Sequence, residues 1–199
     1  STPDPYSNGQ LPRVPVGYTH ASQINNASGG NDCSQLQYTM EVTQENCLLT
    51  FNYAMVLESP THSGLPKFQI DVMKHSSENG SMLEELVDPC AFFEEVGTQN
   101  LTTTNPDVWH SSGSWGVWSE WQEIKINLAK FIGDRVTIRA RVSDCSHGGH
   151  GGYGYFVARA EPALISTPGC AGNGDTVTIA TAPDGFDTYK WFEVSSTFL

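Results

Sequence analysis

Apolar residues recur at every second position through much of this chain. Leu36, Tyr38, Met40 and Val42 are apolar while Gln35, Gln37, Thr39 and Glu41 are polar, the pattern of a strand with one buried face. The same period returns in Phe68, Ile70 and Val72, in Ile124, Ile126 and Leu128, and in Val136, Ile138, Ala140 and Val142. From Leu48 to Leu57 the apolar residues take both phases from Ala54 onward, which predicts a central strand covered on both sides. A further strand runs through Tyr153, Tyr155, Phe156 and Val157 towards Ala160.

Between these runs lie turn-forming residues: Thr43 to Asn46, the loop Ser59 to Pro66, and Ala129 to Asp134, which reads as one helical turn closed by Gly133. Sustained helical periodicity is absent, and Met82 to Val87 is the one short candidate for a helix. Short strands punctuated by Gly and Pro predict an all-β fold, a jelly-roll-like antiparallel β-sandwich. The composition shifts at Glu161-Pro162, and from Cys170 a new pattern begins: a turn at Ala171 to Asp175, a strand from Thr176 to Ala180, and another turn and strand up to Phe192. The stretch from Cys170 to Leu199 is too short for an immunoglobulin-like sandwich, which needs ~100 residues. The expected organisation is an extension or first strand over residues 1–30, the sandwich over 31–161, and a linker with a partial Ig-like β unit over 162–199.

Charge narrows the partners. The chain of 199 residues carries 10 Lys and Arg against 22 Asp and Glu, a formal net charge of -12, with no basic run to release counterions from a polyanion, which excludes nucleic acid. An acidic surface favours solubility outside the cell and admits calcium, a hard cation that prefers oxygen ligands; Glu58, Asp144 and Asp32 are the candidate carboxylates, although no EF-hand loop is present. No apolar stretch is long enough to insert into a membrane. The start, Ser1-Thr2-Pro3-Asp4-Pro5, lacks the features of a signal peptide, so a mature or excised piece of a larger multidomain chain is expected.

The five cysteines, Cys33, Cys47, Cys90, Cys145 and Cys170, show no metal-binding spacing and are read as disulfide partners in an oxidising compartment. A bridge from Cys90 to Cys145 is preferred, with Cys170 pairing outside the chain. If the first two strands form a hairpin, Cys33 and Cys47 lie too far apart to bridge, because a disulfide needs α-carbons within ~7 Å.

The densest cluster of special residues is Asp144-Cys145-Ser146-His147-Gly148-Gly149-His150-Gly151-Gly152-Tyr153. Its four glycines permit a tight loop. One reading places His150, with His147, His62 and Asp144, around a metal or ligand; the other packs His150 against backbone groups in a structural loop stapled by Cys145. Trp109, Trp115 and Trp118, with Tyr153, could stack on sugar rings, or could pack in the core as aromatics more often do. No nucleophile elbow, catalytic carboxylate pair or phosphate loop is present, so catalysis finds little support.

Three stretches, Leu48 to His62, Trp121 to Gly133, and Asp144 to Tyr155, together resemble jelly-roll-like modules of large Bacteroidetes surface and adhesin-like proteins, including those with gliding-motality or type IX secretion tails. The tail, with Cys170, Pro183-Asp184-Gly185-Phe186 and Tyr189-Lys190-Trp191, resembles the Ig-like repeats that follow such modules. Val157-Ala158-Arg159 departs from the acidic residue expected after the Tyr-x-Tyr strand. The resemblance implies location and architecture, an extracellular or outer-membrane-surface module; the leading expectation for function is a non-catalytic interaction module that binds glycan or a cell-surface protein, or spaces such a site away from the membrane. The alternatives are an accessory domain of a secreted hydrolase, or a metal-dependent hydrolase using His62, His147 and His150.

Overall fold

The computed structural model describes residues 2–78, 81–164, 181–183 and 188–190. The tail strands expected after Cys170, and hence the partial Ig-like unit, fall outside the described residues. Eleven strands form the body: β1 (Ser22–Asn26), β2 (Cys33–Glu41), β3 (Leu48–Glu58), β4 (Lys67–Glu78), β5 (Ser81–Leu86), β6 (Phe92–Val96), β7 (Trp109–Ser111), β8 (Gly116–Ser119), β9 (Gln122–Asn127), β10 (Arg135–Ser143) and β11 (Gly152–Glu161). One sheet runs β1-β11-β3-β8-β7, with β9 also on β3; the other runs β2-β10-β4-β5, with β6 also on β4. All pairings are antiparallel.

Two strand positions are split. β8 pairs with Val56 to Glu58 and β9 with Leu48 to Tyr53, so both lie along one side of β3. β5 and β6 likewise share one side of β4, separated by a 3-10 turn at Pro89–Ala91. With these halves merged, one sheet reads β1-β11-β3-β9 and the other β2-β10-β4-β6, which is the jelly-roll order. The segment Met82 to Val87 is therefore strand rather than helix over most of its length, because its backbone pairs with Met73 to Ser77 of β4.

β3 sits centrally and is apolar in both phases for a structural reason. Phe51, Met55 and Leu57 face the inter-sheet core with Phe68, Ile70, Val72, Val136, Ile138 and Val142. Ala54 and Val56 face the other way, into a second cluster with Leu11, Trp118, Tyr153 and Tyr155. That outer face is covered by the N-terminal segment, which is anchored by the buried Asp4. Its carboxylate accepts hydrogen bonds from the hydroxyls of Tyr153 (2.7 Å) and Tyr155 (2.8 Å) and from the Tyr6 amide (2.8 Å). The alternate residues of β11 turn inward, and Gly154 leaves room for Phe68: a Cβ there would lie 2.4 Å from the Phe68 ring.

On the opposite sheet, Asp71 is 2% exposed yet paired with two cations. It accepts from Arg139 Nε at 2.5 Å and Arg141 Nη2 at 2.7 Å, the pairing a buried carboxylate requires.

The alternation of β2 meets a different fate from the one expected. Leu36 and Tyr38 share the inner face with Ile138 through the β2–β10 register, but β2 is a sheet edge and they remain 40% and 64% exposed. Nor do β2 and β3 form a hairpin, since they belong to different sheets.

Burial, then the charge and hydrogen bond of Asp4, push the phenols of Tyr153 and Tyr155 well above their ordinary range. Burial and Glu95 push Tyr53 up to about 12. A phenol kept neutral by folding contributes stability that is complete below the ordinary phenol pKa of ~10 and is lost as pH rises towards the folded value. Unfolding free energy should therefore fall above pH ~10 by about 1.4 kcal/mol per pH unit for each such tyrosine. Urea melts across that range check the slope, which the Tyr155→Phe variant should flatten. Asp4→Ala, which orphans two buried hydroxyls, should cost about 2–5 kcal/mol at neutral pH.

Candidate functional site

Three loops meet at one end of the sandwich: residues 27–32 between β1 and β2, 59–66 between β3 and β4, and 144–151 between β10 and β11. The registers that set Ser143 opposite Lys67 and Gly152 opposite Leu57 bring them together. Backbone hydrogen bonds then lock them, from Ser146 N to Gly64 O, Asp144 N to Asp32 O and Glu58 N to Gly151 O. The fit leaves no room for side chains at Gly29, where a Cβ would lie 2.5 Å from the Gly149 carbonyl carbon and the His150 nitrogen.

Within this knot His62, Cys145 and His150 converge, each offering a donor atom within 4.8 Å of the others. His62 Nε2 lies 3.0 Å from His150 Nδ1, and Cys145 Sγ lies 3.5 Å from the same His150 Nδ1. His62 Nδ1 faces the Ser63 carbonyl at 2.7 Å. The second nitrogen of His150 is 4.0 Å from Glu58 Oε1, while Glu58 Oε2 accepts the Gly151 amide at 2.9 Å. The ring of His147 lies 4.6 Å from that of His62, on an exposed stretch of the loop.

Cys145 is wholly buried, and burial alone would push its thiol up. Hydrogen bonds from the Gly149 backbone, the His150 ring, and the His147 and His150 backbone outweigh that effect and hold the pKa down to about 7. Loop amides aimed at one sulfur stabilise the anion as a backbone nest does.

The carboxylates expected to bind calcium are otherwise engaged. Asp144 is buried and its two oxygens accept from Asn25 Nδ2, the Gly30 amide and the Asp32 amide at 2.9 to 3.2 Å. It organises the β1–β2 loop as an internal anion. Glu58 supports the other loop, and Asp32 is exposed; among the described residues these three do not converge as a ligand group.

The bridge from Cys90 to Cys145 is not formed, and Cys33, Cys47 and Cys145 are free thiols. Cys90 follows β5 and precedes Phe92, which pairs with Asp71, whereas Cys145 lies beyond Ser143, which pairs with Lys67. At ~3.3 Å rise per residue along β4, that offset exceeds the reach of a disulfide. The inference of an oxidising compartment from paired cysteines loses its footing with it.

The aromatic platform is not assembled either. Trp109 and Trp118 are buried at 5% and 3% exposure. Trp115 packs on Tyr6 with ring centroids 4.3 Å apart, and Tyr153 is committed to Asp4.

A second feature, unanticipated by the sequence, lies at the sheet edge. A groove of about 510 Å³ is lined by Leu36, Tyr38, Ile138, Phe156 and Ala158, with His20 at its rim. It exists because β1 pairs with β11 only as far as Ser22 opposite Phe156, so β11 continues without a described neighbour on that side.

No family model matches the chain. No curated protein matches it. Among solved structures, dimeric latent PorU from Porphyromonas gingivalis is similar at a TM-score of 0.29 and 7% identity, over 83% of this chain and 15% of that one. This chain thus spans a small part of that protein's length, and a likeness of this size carries no argument about function.

Asp144→Ala should cost about 2–4 kcal/mol by leaving loop amides and the Asn25 side chain without their acceptor, while added calcium should leave the melting temperature of the parent chain unchanged. Gly29→Ala should shift the His62 and His150 imidazole resonances in NMR spectra by displacing residues 149–150.

Proposed function

We propose that the chain is a non-catalytic recognition module of a larger exported bacterial protein, and that it binds an extended polypeptide segment along the open edge of its sandwich. The groove between β2 and β11 carries this reading. Beyond Phe156, residues 157–161 of β11 pair with β3 on one side only among the described strands. An incoming strand on the line of β1 would find main-chain hydrogen bonds there and apolar side chains at Leu36, Tyr38 and Ile138 for its alternate residues, the mode of β-augmentation. The partner chemistry that fits is an extended segment with every second residue apolar.

Two observations favour recognition over catalysis. Cys145, whose thiol pKa is lowered by its hydrogen bonds, is 0% exposed. The neighbouring cavity of about 560 Å³ is lined by residues such as Asn31, Cys33, Leu65 and Ser146, and not by His62, Cys145 or His150. Placement outside the cell rests on the resemblance of Leu48 to His62, Trp121 to Gly133 and Asp144 to Tyr155 to Bacteroidetes surface modules.

A phage-displayed random-peptide library panned on the full chain tests the proposal. Enriched peptides should alternate apolar and polar residues and lose at least tenfold in affinity against Tyr38→Asp and Leu36→Asp. Binders indifferent to both substitutions would overturn it. So would peptide binding that emerges only once residues 165–199 are removed, which would assign the groove to the chain's own tail, or glycan-array binding lost on Trp115→Ala.

A further inference from the structure

We propose that Cys145 Sγ, His150 Nδ1 and His62 Nε2 form a zinc site that ties the loop after β10 to the loop after β3. The site is independent of the edge groove and of whatever that groove binds.

Two of the three ligand separations fit before any movement, while His62 Nε2 and Cys145 Sγ, within 4.8 Å of each other, must draw together on binding. Zinc with arms of about 2.0–2.1 Å to nitrogen and 2.3 Å to sulfur at tetrahedral angles sets ligand pairs about 3.3 Å apart for N···N and about 3.6 Å for N···S. The corresponding separations here are 3.0 Å and 3.5 Å. The donor set of one thiolate and two imidazoles is the borderline-soft combination that selects zinc over calcium or magnesium.

Tautomers make the case sharper. His62 Nδ1 faces a carbonyl oxygen, which can only accept, so that nitrogen carries the proton and Nε2 presents a lone pair. His150 Nδ1 carries its proton towards the sulfur in the metal-free protein, and Glu58, 4.0 Å from Nε2 on the far side of the ring, can hold a proton there once a cation takes the Nδ1 lone pair. His62 Nε2, His150 Nδ1 and Cys145 Sγ thus converge on one spot. A cation resolves that arrangement. On binding, the thiol proton and any proton shared between the imidazoles leave to water, and three metal–ligand bonds form. The zinc charge, less that of the thiolate, is further balanced by the nearby Glu58 carboxylate. His62 and His150 are only half-buried, so the fourth position stays open to solvent.

The ligands come from separate segments, His62 from residues 59–66 and Cys145 with His150 from 144–151. Metal would therefore hold together two loops joined otherwise by backbone bonds such as Ser146 N to Gly64 O at 2.8 Å.

The full chain, purified under reducing conditions and stripped with a chelator, is titrated with zinc alone, and cobalt(II) serves as the optical probe. The expected result is one equivalent of tightly bound zinc per chain, a rise in melting temperature on loading, and a thiolate-to-cobalt charge-transfer band in the near ultraviolet. Cys145→Ser should abolish that band. His62→Ala should weaken zinc binding at least a hundredfold while the metal-free chain melts as the parent does, since His62 sits on a loop whose backbone bonds remain. Substoichiometric zinc in the parent chain, or a cobalt band that survives Cys145→Ser, would overturn the proposal. Equal zinc affinity in His62→Ala and the parent would also overturn it.

Discussion

The burial of β3 on both faces is the constraint on which the rest of the molecule depends. A strand that is apolar in both phases cannot lie in a two-layer sandwich with one side in water, because Ala54 and Val56 would then be exposed beside Trp118. The chain meets this with its first residues rather than with a third sheet. Asp4 is the pin: a carboxylate at zero exposure whose acceptors are filled by two tyrosine hydroxyls and an amide. Such a charge is costly to bury unless fully hydrogen-bonded, and here it is bonded to the β11 side chains that flank β3. The segment ahead of β1 is thus part of the sandwich core and not a dispensable leader to it.

That central pairing also decides where chemistry can gather. β11 runs antiparallel to β3, and β10 antiparallel to β4, so the end of β3, the start of β4, the end of β10 and the start of β11 share one rim. The two loops that bear His62 and His150 must therefore meet, although 88 positions separate those residues in sequence. Glycine at 29 and 151 lets the β1–β2 loop press against the same knot, since a Cβ at either would strike backbone. Asp144 then fastens that third loop through its amides. The histidine and cysteine donors sit on a support whose own polar groups are satisfied, which is what holds a site in one geometry.

The strands were legible in the sequence because burial on one face writes itself as period two, and the paired phases of Ala54 to Leu57 announced a central strand. The jelly-roll order confirmed the class. Two readings gave way and one open choice was decided for physical reasons that a single sequence does not display. Met82 to Leu86 offers too few apolar residues to separate a helix from an edge strand, and pairing with β4 decided it. The tryptophans were left between a sugar platform and the core, and Trp118 lies in the cluster with Leu11 of the N-terminal segment, a cover that no local pattern could reveal. Cys145 was assigned to a disulfide on composition, whereas its position is fixed by a strand register invisible in sequence. The convergence of His62 on His150 was one of two open readings, and register settled that these side chains meet. The carboxylates grouped with them turned out to serve the loops.

The mismatch of edge strands gives the groove its origin. β1 has 5 residues, while β2 has 9 and β11 has 10, so among the described residues one edge of the sandwich closes over only part of its length. Proteins commonly protect such edges with charges, bulges or proline, because an open edge recruits other strands. β2 carries Gln35, Gln37 and Glu41 on its outer face, but its inner face presents Leu36 and Tyr38 to water with only Met40 partly covered. An apolar edge left open at this length is a liability unless something occupies it, since exposed apolar surface next to unpaired backbone invites nonspecific pairing. The buried carboxylates of Asp4 and Asp71 are fully paired, whereas the edge between β2 and β11 leaves Leu36 and Tyr38 in water, and this contrast is what supports the proposed partner.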